Sequence, residues 1–228
     1  MGLVVLLALA ALVFFGLAQR TLDRMRLTDT QALLAIALMI AGSYVSLPLF
    51  GQSSVNVGGA LVPLGLIVYL LVRAGTGRER GRAVLAAVAS GIAVTVVNSL
   101  FEGGPHGAAG RQLPIDPLWL SGIVAGLVGY LAGRSRRSAF IAGVGGVLLS
   151  DVYTLFTSPS PTVVGGAGVF DQVVIAGVLA VGLAEIVGET RERLGGGPDL
   201  DRDRPLALHQ DEGTGEEPVG GRKDEDLG

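Results

Sequence analysis

The segment VNVGGALVPLGLIVYLL, residues 55–71, joins a Gly-Gly pair to an unbroken apolar run, and VVGGAGVFDQVVIAG, residues 163–177, returns to the same arrangement. The shared Val-Gly-Gly-Ala begins at Val57 and again at Val164, an offset of 107 residues. Carried elsewhere without gaps, that offset lays TDTQALLA (28–35) on SRRSAFIA (135–142) and Tyr44 on Asp151. Both blocks read in the same order: apolar run, basic loop, apolar run, short polar loop, Gly-Gly pair, apolar run. An internal repeat is the expectation.

What surrounds these blocks decides the class of protein. Half of the 228 residues are hydrophobic, 16% are charged, and the mean hydropathy is +0.57. The apolar residues fall in long blocks with no 3.6-residue stripe, and Gly2 to Ala18 has no water-facing side. That pattern describes an all-α, polytopic membrane helix bundle. Cysteine is absent, which excludes disulfides and thiolate metal sites. There is no phosphate loop with its lysine, no HExxH, no GxSxG and no plausible Ser/His/Asp set. No cofactor and no nucleic-acid partner are expected. Metal binding is not expected either, because Asp151, Asp171 and the lone His106 have no ligand spacing.

Seven runs have the length of a membrane span: about 2–18, 31–50, 57–73, 83–101, 117–133, 138–156 and 167–187. Arginines gather in alternate loops: Arg20, Arg24 and Arg26; Arg73, Arg78, Arg80 and Arg82; Arg134, Arg136 and Arg137; Arg191 and Arg193. The intervening loops FGQSSVN and TSPSPT carry no charge. By the positive-inside rule the N-terminus is outside and the C-terminus cytoplasmic, in a prokaryotic plasma membrane. Basic residues follow the first run and do not precede it, which is the reverse of a cleaved signal peptide. The repeat halves, about 1–73 and 117–187, flank a single span at 83–101, so the organisation reads as a 3+1+3 parallel repeat. Residues 1–190 make the membrane domain. The acidic, Gly- and Pro-rich stretch 191–228 is expected to be a disordered cytoplasmic tail.

Ionisable groups within spans are costly and ask for a partner or a cavity. Asp151 and Asp171 stand out, at roughly 6 to 9 Å below the outer surface by helix rise. Asn98, Asn56 and Tyr44 fall in the same outer third, as do Tyr153 and Gln172. Two Gly-Gly pairs, Gly58-Gly59 and Gly165-Gly166, sit at the outer mouths of their spans, where glycine permits close packing or an unwound segment with free amides. These residues form the candidate binding site. The inner half shows no comparable cluster, and Glu185 is placed to pair with Arg191 and Arg193. On the fifth span Gly122, Gly126, Gly129 and Gly133 have the spacing of a close helix crossing.

LDRMRLTDTQALL (22–34), VNVGGALVPLGLIVYLL, GRSRRSAFIAGVGGVLLSD (133–151) and GGAGVFDQVVIAGVLAVGLAEIVGETRERL (165–194) together resemble the bacterial and archaeal membrane family catalogued as domain of unknown function 1614. The resemblance spans about 1–194 and implies a membrane protein with no assigned activity. Three functional readings stay open. The first is transporter-like handling of a small solute or cation at the outer polar site, since the 3+1+3 layout is similar to that of the SWEET sugar transporters, although their Pro-Gln signature is missing. The second is a non-catalytic membrane scaffold or sensor whose tail recruits partners; under any reading the lipid bilayer and a homo-oligomer are expected partners. The third is an intramembrane aspartyl protease using Asp151 and Asp171 as a proton-sharing pair. Phe170 stands where the Gly-x-Gly-Asp proteases have glycine.

Overall fold

In the computed structural model, residues 2–102, 117–133, 135–166 and 172–194 are described. Helices occur in all seven apolar runs: α1 (Gly2–Phe14) with α2 (Gln19–Met25), α3 (Asp29–Gly42), α4 (Val62–Val72), α5 (Gly77–Glu102), α6 (Pro117–Gly133), α7 (Arg136–Thr157) and α8 (Gln172–Leu194). Three are long and apolar enough to cross a membrane, α5, α7 and α8, or up to four if the bent pair α1–α2 is counted as one span. The others are shorter. At about 1.5 Å per residue, α3 with its 14 residues covers about 21 Å, less than a hydrocarbon core of about 30 Å. Large apolar side chains lie exposed along the helices, among them Leu34, Leu85, Leu131 and Phe156. A water-soluble monomer does not present so much apolar surface, and lipid-facing helices do.

Capping chemistry sets the helix starts. Thr28 Oγ accepts from the Gln31 amide while the Gln31 side chain accepts from the Thr28 amide, a reciprocal box that opens α3. Ser135 Oγ accepts from the Ser138 amide at the start of α7, at the same offset of 107 residues. Two features depart from the expectation. The first apolar run is not one straight helix, because it breaks after Phe14, passes through Gly16 at φ +75° and resumes as α2 after a 94° bend. Nor is the fold purely helical. β1 (Ser46–Pro48) pairs antiparallel with β2 (Ser54–Asn56), and β2 pairs parallel with β3 (Val163–Val164). The polar loops thus join as a three-stranded sheet that satisfies backbone groups at the ends of the helices.

The first 187 residues form one unit and Gly188–Gly228 a second, of which 188–194 are described. Within the first unit, small residues let α5, α6, α7 and α8 approach closely. A β-carbon on Gly129 would stand 2.6 Å from the Gly143 nitrogen, and one on Gly126 2.7 Å from Leu179 Cβ. The glycine spacing on α6 therefore serves helix crossing, as its pattern predicts. Hydroxyls fasten the same crossings. Ser90 donates to the Ala125 carbonyl, Thr95 to Ser150 Oγ at 3.1 Å, and Ser121 to Asn98 Oδ1 at 2.5 Å.

The arginine-rich end holds a cluster that loop composition alone does not reveal. Arg137 is 8% exposed. Its guanidinium donates to the carbonyls of Arg73 (3.1 Å) and Arg24 (3.4 Å) and pairs with Glu79 at 3.5 Å, so one side chain ties α7 to the ends of α2 and α4 and the start of α5. Glu185 pairs with Arg136 and accepts from Thr21 Oγ at 3.0 Å. Arg191 and Arg193, the expected partners of Glu185, have side chains outside the described residues. The arginine-rich end thus has a polar cluster of its own, where none was expected.

Candidate functional site

The two Gly-Gly segments meet. Parallel pairing puts Ser54 beside Val163 and Val55 beside Val164, which brings Gly59 against Gly165. A β-carbon on Gly59 would come within 2.0 Å of the Gly165 carbonyl oxygen, and one on Gly165 within 2.5 Å of the Ala60 nitrogen. Only glycine allows these backbones so close. On the other side Gly58 packs on the end of α3, where a β-carbon would fall 2.1 Å from the Met39 oxygen.

The first segment, Val57–Leu61, is a single π-helical turn that continues into α4 through Pro63. Asn56 caps it. Its Oδ1 accepts from the Gly59 amide at 2.8 Å, while Nδ2 donates to the Ser43 carbonyl at 2.9 Å and to Ser46 Oγ at 3.3 Å. The side chain is 2% exposed and uses its acceptor and donor ends at once, as a buried amide must. The second segment turns through Gly165 at φ +78° and Gly166 at φ +57°, a left-handed pair that favours glycine. Its cap comes from α7: Asp151 Oδ2 accepts from the Gly165 amide at 2.9 Å, and Oδ1 accepts a longer bond of 3.5 Å from Gln172 Nε2 on α8.

Of the residues singled out from sequence, the structure brings Asn56, Gly58, Gly59, Gly165, Gly166 and Asp151 into one junction. Asn98 is bonded to Ser121 across the α5–α6 crossing. Tyr44 is 83% exposed. Asp171 lies outside the described residues, so the facing of Asp151 and Asp171, on which the protease reading depends, falls there too. Among the described residues no group of three or more His, Asp or Glu could hold a metal ion. What the junction offers chemically is one carboxylate toward the C-terminal end of α7, held by an amide N–H and a carboxamide, beside two backbone segments that are not α-helical.

Sequence reading missed Arg137 and the Arg136–Glu185–Thr21 group, because loop arginines were counted as topology markers. The signal was available in part: Arg136 and Arg137 fall within the first turn of α7, and a helix that starts so close to its basic residues carries them toward its neighbours.

Residues 39–183, well over half of the chain, match the family described as "Protein of unknown function (DUF1614)". The chain belongs to that family. No curated protein and no solved structure matches it.

Proposed function

We propose that this DUF1614 chain is a multi-pass membrane protein that binds a proton or small cation, and with it a small solute, at the junction of its Gly-Gly segments, in the manner of a transporter. One contrast carries the reading. Asn56 holds the Gly59 amide and the Val163 carbonyl holds the corresponding Gly166 amide, both neutral acceptors, whereas the Gly165 amide is held by the carboxylate of Asp151. A carboxylate adds a charge that costs roughly 2.5–3.5 kcal/mol within a span on insertion scales. A bound proton or cation offsets that cost and gives the charge a use. Paired non-α segments, one of them a π turn, are a recurrent feature of binding sites in helical membrane proteins. The matching offsets of Thr28 and Ser135 and the parallel strands support seven spans in a 3+1+3 repeat. The arginine-rich loops support a cytoplasmic placement of that end in a prokaryotic plasma membrane, with the N-terminus outside.

The experiment is flux through vesicles containing the full chain, under imposed proton, Na⁺ or K⁺ gradients and read with ion-sensitive dyes. Wild type should dissipate one of these gradients and Asp151→Asn should not, with little change in melting temperature. Equal flux in both proteins, or flux in neither, overturns the reading. The scaffold reading is the one the second result would favour, and the internal partners of Asn56, Asn98 and Asp151 are consistent with it.

A further inference from the structure

α5 and α6 touch where the Ser90 hydroxyl donates to the Ala125 carbonyl, and on the arginine-rich side of that contact they leave a groove of about 520 Å³. Arg78, Arg82, Leu85, Ala86 and Ala89 line it from α5, at the spacing of one helix face, and Ala132 lines it from α6. The two arginines stand at one end, and at about 1.5 Å per residue the apolar wall runs on for about 10 Å from Arg82 to Ala89. Neighbouring charges are already engaged. Glu79, the acid in the first turn of α5, holds the Arg137 guanidinium at 3.5 Å and accepts from the Gly75 amide at 3.2 Å, while Arg80 donates to the Val72 and Ala74 carbonyls. Arg82 uses only Nε, on the Ala132 carbonyl at 3.3 Å, and Arg78 has no hydrogen bond or ion pair among the described residues. Both are exposed.

We infer that this groove holds an anionic glycerophospholipid of the surrounding bilayer, its phosphate between Arg78 and Arg82 and one acyl chain along Leu85, Ala86 and Ala89. Side-chain size makes the space: Ala86, Ala89 and Ala132 fill little of it, so a long thin chain can lie where larger side chains would otherwise meet. Charge selects the head. Two guanidinium groups one helical turn apart, with terminal nitrogens unengaged among the described residues, offer phosphate oxygens the charge-assisted geometry that arginine favours. Basic pockets between membrane helices draw anionic lipid heads in the same way. A zwitterionic lipid would set its own cation beside the arginines. Free phosphate would meet the arginines and leave the apolar wall bare. The stretch 195–228 is acidic but has few apolar side chains, whereas Leu85 and Ala89 lie on a helix long and apolar enough to cross a membrane. The groove is separate from the Gly-Gly junction, and the inference does not rest on the proposed transport.

The full chain, purified in detergent and exchanged against phosphatidylglycerol or phosphatidylcholine, is examined by native mass spectrometry. Wild type should retain phosphatidylglycerol over phosphatidylcholine. Arg78→Gln and Arg82→Gln should each lower that preference about fivefold, the worth of one basic side chain at an anionic membrane surface. Arg80→Gln removes the same charge outside the groove and should leave the preference in place. Ala89 is exposed on the apolar wall, so Ala89→Phe should occupy the path of the acyl chain and lose retention of phosphatidylglycerol. If that variant does not fold, Gly81→Leu replaces it, because Gly81 lines the groove and a β-carbon there meets nothing within 4 Å. Equal retention of both lipids by wild type, an equal loss in Arg80→Gln, undiminished retention in the filled variant, or displacement of phosphatidylglycerol by inorganic phosphate each overturns the assignment. Unchanged lipid retention in the Arg78 and Arg82 variants with faster proteolysis of 195–228 also overturns it, and makes the acidic stretch the occupant.

Discussion

Val57–Ala60 and Val164–Ala167 begin as the same four residues, and their glycines are held in different ways. The first is a π turn capped from its own chain neighbour, Asn56, and runs straight into α4. In the second, two left-handed glycines are capped from α7, by Asp151, 14 residues earlier. The reason lies just before the tetrapeptide. At the offset of 107 residues, Asn56 corresponds to Val163, whose side chain has no acceptor; its backbone carbonyl takes the Gly166 amide at 3.0 Å, and the Gly165 amide turns to Asp151. What the glycines impose in both cases is close backbone approach. The residue ahead of them decides which conformation that approach takes and whether the cap is neutral or charged.

The largest expected effect is all-or-none. Parallel pairing of β2 with β3 requires both Gly-Gly segments to open on one side of the membrane. The chain has no native cysteine, so single cysteines at the exposed positions Gln52, Ser160 and Arg78 give clean labelling. Gln52→Cys and Ser160→Cys should react with an impermeant reagent from the same side, and Arg78→Cys only from the other. Labelling of positions 52 and 160 from opposite sides would undo the comparison altogether.

Next come the glycines themselves. Gly58→Ala and Gly59→Ala would drive a β-carbon to 2.1 and 2.0 Å from carbonyl oxygens, and Gly165→Ala adds a left-handed backbone to a 2.5 Å clash. Each should cost about 3 kcal/mol or more, seen as a large fall in detergent melting temperature or loss of folded protein. Gly65 on α4 is the control, because nothing lies within 4 Å of its β-carbon. Gly65→Ala should be neutral or stabilise by up to about 1 kcal/mol. Equal losses at positions 58 and 65 would mean that close approach is not what the Gly-Gly pair provides.

How far such contrasts can be read from sequence depends on the range of the interaction. The helices of the long apolar runs, the Gly-Gly pairs and the correspondence of 28–35 with 135–142 are local, and the sequence displays them. The strands are two or three residues long, too short for an alternating pattern, and β2 pairs with β3 across more than a hundred residues. The bend after Phe14 lies inside a run that is apolar throughout, so hydropathy passes over it. Asp151 was noticed for its charge, but its bond to Gly165 depends on how α7 and the loop fold back. Arg137 counted as a loop charge, and only the packing of α2, α4 and α5 around it shows that it is buried.

Exchanging the caps tests the charge difference directly. Asn56→Asp keeps the acceptor for Gly59 but loses the donor to Ser43 and Ser46 and sets a carboxylate against a carbonyl oxygen, 2% exposed. That should cost about 2–3 kcal/mol. Asp151→Asn keeps the acceptor for the Gly165 amide, and its new NH₂ can donate to Gln172 once that amide turns over, so the loss should be about 1 kcal/mol or less. Thermal melts of both variants settle the order. Were Asp151→Asn the more damaging to stability, its charge would be part of the fold and the case for a proton or cation at that carboxylate would fall.

The smallest effect concerns the place where the two halves agree. Thr28 and Ser135 cap α3 and α7 by the same bond, a hydroxyl oxygen accepting from the amide three residues on, and they stand at the repeat offset. Removing either hydroxyl leaves one amide of the first turn without its acceptor. Thr28→Ala and Ser135→Ala should therefore each cost about 1 kcal/mol, in line with N-caps generally. At Thr28 the return bond from the Gln31 side chain to the backbone amide survives the change, which limits the loss there. Ser135 Oγ also donates to Ser138 Oγ at 2.9 Å, and Ser138 is buried, so its loss should fall at the upper end of that range. Similar small costs at both positions, beside unlike costs at Asn56 and Asp151, would place the divergence of the halves at their Gly-Gly ends. A loss of several kcal/mol at one cap and none at the other would show that the halves already differ at their basic ends, and the correspondence of Thr28 with Ser135 would be one of sequence alone.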